Sequence, residues 1–144
     1  ITQQEMLDTL GNILGVLTAA VGAFGGISLL VGGVGIFTVM TIAVRERTTE
    51  IGLLRALGST RRQILQFFLG EAVLLSAIGG LAGLVVGIGV ALLLGVAVPA
   101  LPVSIPLSYT LMAEGIAVLV GLVSGVLPAL RAANLAPVDA LRAE

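Results

Sequence analysis

The chain has 144 residues, 58% of them apolar and only 10% charged, with a formal net charge of -1 and neither cysteine nor histidine. A charged fraction under half the roughly 25% of an ordinary soluble domain excludes a water-soluble fold and points to a membrane protein. The missing residue types exclude disulfides, thiolate chemistry, Ser-His or Cys-His pairs and the usual zinc ligands.

The first residues, with Glu5 and Asp8, are acidic, and no charge follows from Thr9 to Val44. There is no initiator Met, basic n-region or small-residue cleavage site at Ile1, which predicts the C-terminal part of a longer protein rather than a signal peptide. Leu7, Leu10, Leu14, Leu17, Val21 and Phe24 alternate steps of three and four, the spacing that lays one apolar seam along a helix. A helix over about residues 5–44 would be about 60 Å long, twice a ~30 Å hydrocarbon core. The seam therefore belongs either to a stalk outside the membrane or to the packing of a helical bundle. Gly22, Gly25, Gly26, Gly32, Gly33 and Gly35 mark either close helix contacts or a bend.

Five of the seven arginines then gather in VRERTTEIGLLRALGSTRRQIL, Val44 to Leu65. A short Arg-rich island between long apolar runs is expected to be a cytoplasmic loop. Within it Thr48 or Thr49 is the predicted N-cap of a two-turn helix, Glu50 to Leu57, and Gly58 its left-handed stop. Such a helix is too short to stand alone in water, so packing must hold it. Its Ile51, Leu53, Leu54 and Leu57 with Glu46, Arg47, Glu50 and Arg55 suit docking into a partner's groove. The competing reading is a re-entry turn whose arginines only fix topology.

Thr60 and Gln63 form a capping-box pair that opens the next helix, predicted over 61–97. Gly79, Gly83, Gly87, Ala91 and Gly95 stand four apart on it, a small-residue ridge for helix packing. Pro99, Pro102 and Pro106 break the chain into an outer loop, about 98–108. A third span follows over about 109–128, carrying Ala113, Ala117, Gly121, Gly125 and Ala129, a ridge that could face the previous one, and Pro128 ends or kinks it. Arg131 and Arg142 return in the tail, 129–144. The predicted architecture is all-α, with three membrane helices, N-terminus outside, island and C-terminus cytoplasmic.

Two acids, Glu71 and Glu114, fall in or beside the spans, where an ionisable group is a functional candidate. Each is within about two turns of a predicted helix end, so snorkelling to the interface competes with function as its explanation. The position also counts against a proton-carrying ring hairpin, whose acid belongs at mid-membrane. No G-x-x-x-x-G-K-[ST] loop occurs and the chain has no lysine, so it is not expected to bind or hydrolyse ATP itself. No cofactor, metal or nucleic acid is expected on this chain.

The island, the following QFFLGEAVLLSAIGGLAGLVVG and the closing LPALRAANLAPVDALRAE together resemble the C-terminal permease domain of the MacB/FtsX-like ABC transporter family. The ordered motifs are R-E-R-T-x-E-I-G, A-L-G-x-T-R-R-Q-I, E-A-x-L-L, G-G-x-x-G and P-A-x-R-A-A-x-L-x-P-V-x-A-L-R. The run SLLVGGVGIFTVMTIAVRERTTEIG is nearest the macrolide-exporter branch. The sequence departs at Leu130, where the family often has another arginine. The resemblance implies the last three of four spans of a permease in the bacterial inner membrane. It implies pairing with a second permease protomer, an ATP-binding cassette domain or subunit that holds ATP and magnesium, and an extracytoplasmic adaptor. It also implies that Arg45, Glu46, Arg47, Glu50, Ile51, Leu54, Arg55, Leu57, Gly58, Arg61 and Arg62 form the coupling contact with the ATPase. Gly79, Gly83, Gly87, Gly121 and Gly125 are the expected packing glycines. The alternatives are a non-transport scaffold and a signalling permease that activates cell-wall hydrolases.

Overall fold

A computed structural model describes residues 2–98 and 103–136, and these form four helices with no strand among them: α1 (Gln3–Glu46), α2 (Thr48–Ala56), α3 (Arg61–Ala97) and α4 (Leu107–Ala133). α1, α3 and α4 are each long and apolar enough to cross a membrane. The expected loop residues 99–102 and tail residues 137–144 lie outside the described part.

The chain divides into two units, Ile1–Gly32 and Gly33–Glu144. The first is the N-terminal portion of α1. Glu5 starts it by accepting from the Thr2 amide at 3.0 Å, which satisfies a free donor and sets negative charge at the positive end of the helix dipole. Thr9 and Thr18 return their hydroxyls to the carbonyls of Glu5 and Leu14, four residues back, and so bring no unpaired polar group into the apolar helix. The predicted seam is exposed along its whole length, from Leu7 to Phe24.

The second unit owes its order to one small core. Met40 and Val44 from the end of α1, Ile51 from α2, Ile64, Phe68 and Ala72 from the start of α3, and Ala129, Ala132 and Ala133 from the end of α4 are buried together. This core sits at the charged island. Away from it α3 and α4 pair closely, yet their outward leucines and valines stay exposed, Val85 by 72% and Leu93 by 71%. Such surfaces need lipid around them, because water would make them an aggregation site.

α4 departs from the predicted end at Pro128. The helix continues to Ala133 with Pro128 fully buried inside it. Proline removes the hydrogen bond to the carbonyl four residues back and crowds that carbonyl, a cost that the burial of the ring in the core offsets. The predicted N-cap of α2 is also corrected. Arg47 occupies that position without a side-chain cap, and the Thr48 hydroxyl turns back to the carbonyls of Val44 and Arg45 at 3.1 and 2.8 Å. The threonine thus closes the end of α1 instead of opening α2.

Candidate functional site

α2 is nine residues long and is fixed at both ends by backbone geometry. Gly58 adopts a left-handed φ of 101°. The Ser59 amide then donates to Leu54 at 3.0 Å and the Gly58 amide to Arg55 at 3.2 Å, the paired bonds of a Schellman stop. Two residues later the capping box forms in full, Gln63 N to Thr60 Oγ1 at 3.3 Å and Thr60 N to Gln63 Oε1 at 2.8 Å. The turn between α2 and α3 therefore contains little freedom.

The inner face of α2 is held from three directions. Ile51 is 2% exposed in the core and Gly52 is buried beside it. Arg55 Nη1 donates to the Ala133 carbonyl at 3.4 Å, and Arg61 Nη1 donates to Asn134 Oδ1 at 3.2 Å, so both arginines reach the C-terminal end of α4. That end carries partial negative charge and free carbonyls, which suits a guanidinium. Arg47 lies 3.6 Å from Glu71 Oε2 of α3, a charge contact longer than a hydrogen bond.

The outer face of α2 is different. Leu53, Leu54 and Leu57 are exposed, Leu57 by 77%, and Arg45, Glu46, Arg47, Glu50 and Arg62 are exposed around them. A cleft of about 380 Å³ opens between α2 and α3, walled by Leu54, Ile64 and Phe67 and rimmed by Arg47, Glu50 and Gln63. The structure thus divides the expected docking residues into two sets. Ile51 and Arg55 face inward and hold the helix, while Glu50, Leu54 and Leu57 face out. Phe67, 64% exposed on the cleft wall, is absent from the sequence-derived set. Its signal was available, because phenylalanine is scarce in this chain and Phe67 follows a charged turn.

The packing glycines also separate. An added Cβ at Gly125 would collide with Ala72, and one at Gly121 with Ser76, so these two glycines are where α4 meets α3. Gly79, Gly83 and Gly87 have nothing within 4 Å of such a Cβ. The α3 row against α4 runs one residue over, through Ile64, Phe68, Ala72, Ser76 and Gly80. Two adjacent rows four residues apart are both small on α3, and the tighter contact takes the row that continues into the core. Gly33 is the α1 glycine in close contact, with Ser124 Oγ 2.8 Å from its would-be Cβ. Glu114 does not reach for the helix end: its carboxyl lies against Gly80, and Oε2 is buried with no hydrogen-bond partner.

No group of three metal-ligating side chains occurs among the described residues. The arrangement is a short helix packed through one face onto the core shared by α3 and α4 and exposed on the other. Residues 22–137 match the family of FtsX-like permease C-terminal domains. The chain belongs to that family. The FtsX-like permease domain is 43% identical over 143 residues to an ABC transporter permease, YknZ, of Bacillus subtilis (strain 168), covering 98% of this chain and 35% of the relative. It is 48% identical over 129 residues to the macrolide export ATP-binding/permease protein MacB of Wolinella succinogenes, covering 89% of this chain and 20% of that protein. It is 46% identical over 130 residues to the pyoverdine export ATP-binding/permease protein PvdT of Pseudomonas fluorescens, covering 89% and 19%. This FtsX-like domain therefore spans about a third or less of the length of these relatives.

Proposed function

We propose that the chain is the membrane portion of an ABC-type export or mechanotransmission permease, and that α2 is the element through which an ATP-binding domain or subunit moves the spans. The observation that carries the reading is the two-sidedness of α2. Its inner face is bound to the core and to α4 through Ile51 and Arg55, while Leu54 and Leu57 stand exposed among charges. A force applied to that face has no loose joint in which to be lost, because Gly58 and the Thr60–Gln63 box fix the turn into α3.

The arginine island and Arg131 lie on one side of the spans, which supports a cytoplasmic island and C-terminus and an outer N-terminus in the bacterial inner membrane. ATP and magnesium belong to the partner, since the chain has no P-loop. The exposed Leu7 to Phe24 seam supports pairing with a second permease protomer along α1. An extracytoplasmic adaptor is the further partner that the resemblance to this family implies.

The absence of cysteine makes the test direct. Leu57→Cys in the full-length protein, with one cysteine on the candidate ATPase, should give a crosslink in membranes whose yield changes with nucleotide. No crosslink from a Leu57→Cys that a thiol reagent still reaches from the cytoplasm would remove the coupling role and favour a scaffold.

A further inference from the structure

The arginines of the described residues fall into two groups. Arg47 meets Glu71, Arg55 the Ala133 carbonyl and Arg61 the Asn134 side-chain oxygen. Arg45, Arg62 and Arg131 meet no acid and donate no side-chain hydrogen bond among the described residues. Arg45 and Arg131 are also alike in place, each being the basic residue in the last turn of its helix, α1 and α4. Those two helices are neighbours, since a Cβ on Gly33 would stand 2.8 Å from Ser124 Oγ.

A pocket of about 180 Å³ lies between the two helix ends, and Arg45 and Arg131 both line it. Val44 and Pro128, both buried, give it apolar surface. Thr41 and Thr48 line it too, but their hydroxyls already donate to the carbonyls of Phe37 and Arg45 at 2.7 and 2.8 Å. Recognition in the pocket therefore falls to the two guanidiniums. Among the described residues no acid lines it, and Glu46, the acid next to Arg45, is turned away by about 100° of helix. The helix dipole accounts for one cation in a last turn. Two cations from different helices at one acid-free pocket repel each other unless an anion sits between them. On the side of the spans, Ile42 precedes Arg45 and Leu127 precedes Arg131 by one turn, and both are exposed. The pocket thus lies where apolar helix surface gives way to the arginine island.

We propose that this pocket binds the phosphate diester of an anionic phospholipid, with Arg45 and Arg131 on the phosphate and the acyl chains along Ile42 and Leu127. Guanidinium groups match phosphate oxygens in geometry and charge, and basic pockets between the ends of spans are suited to anionic head groups. Free phosphate would use the arginines and ignore the apolar surface beside them. A zwitterionic lipid would bring its own ammonium group against them. The inference rests on α1 and α4 crossing a bilayer with their arginine ends at its surface. It does not rest on the coupling role of α2, and its failure would leave that role untouched.

The test is lipid retention by the full-length protein in mild detergent, titrated with dioleoylphosphatidylglycerol or dioleoylphosphatidylcholine, with bound lipids counted by native mass spectrometry. Phosphatidylglycerol should be held in preference to phosphatidylcholine. Its affinity should fall about fivefold in Arg45→Gln or Arg131→Gln and about twentyfold in the double variant, the scale of single basic contacts at a lipid surface. Arg62→Gln, outside the pocket, should leave retention unchanged, and unchanged thermal unfolding of each variant keeps the losses attributable to the site. Equal retention of the two lipids, or an equal loss in Arg62→Gln, would reduce the arginines to general surface charge and overturn the proposal. Release of the lipid by inorganic phosphate would overturn the lipid as occupant in favour of the free anion. No retention, as expected if an acidic side chain of the ATPase or of the tail fills the pocket, would overturn it as well.

Discussion

Arg55 Nη1 and the carbonyl oxygen of Ala133 are 3.4 Å apart, though 78 residues separate them in the chain. The contact joins the surface helix to the end of the last span. At this length it is a weak hydrogen bond, but its donor is charged and its acceptor belongs to the negative end of α4.

Arg55→Ala should therefore lower stability by about 0.5–1 kcal/mol, the usual scale for a cation at a helix C-terminus. The variant should lose proportionally more nucleotide-dependent signal at α2 than stability, because α2 would still be held by Ile51 but would lose its polar tie to the end of α4. Thermal unfolding in detergent beside the Leu57→Cys crosslink assay separates the two effects. A full loss of folding would mean that Arg55 is part of the core.

The small residues of α4 and α3 predict opposite outcomes. Gly125→Leu drives a side chain into Ala72 and should cost about 1–3 kcal/mol through overpacking. Gly79→Ala has open space and should be neutral or stabilise the helix by up to about 1 kcal/mol. Measuring both by unfolding in detergent checks the register directly. If Gly79→Ala is as harmful as Gly125→Leu while both remain monomeric, α3 packs on its other row.

These contrasts also mark how much was legible in the sequence. Gly58 and the Thr60–Gln63 box were readable because their chemistry is local: a left-handed stop and a reciprocal cap need only neighbours a few residues away. The register of α3 was not, since Gly79–Gly83–Gly87 and Ala72–Ser76–Gly80 are both small and only the presence of α4 chooses between them. Thr48 could cap α2 or close α1, and the turn geometry decided for α1. Glu114 was close to a helix end by count, yet α4 meets the midpoint of α3 there, so position along one helix misjudged its surroundings.

Arg47 and Glu71 give a charge-swap experiment. Their exposure limits the pair to under about 1 kcal/mol, so Arg47→Glu should barely alter folding. It places two acids together, however, and should loosen the junction of α1 and α2 from α3. The double variant Arg47→Glu with Glu71→Arg should recover coupled ATPase activity lost in either single variant. Additive losses would mean that the two side chains act separately.

The sharpest division lies within α2 itself. Ile51 and Leu57 are six residues apart, one 2% and the other 77% exposed. Ile51→Ala removes buried methylenes from the small core and should cost about 2–5 kcal/mol, visible as lower yield of folded protein. Leu57→Asp meets only solvent within the chain, so expression, membrane insertion and thermal unfolding should match wild type. If α2 transmits motion from an ATPase, the same Leu57→Asp places a charge in that contact and should abolish stimulation of ATP hydrolysis by the permease. Normal stimulation in Leu57→Asp would mean that the exposed leucines are a lipid-facing anchor and that the ATPase engages the chain elsewhere.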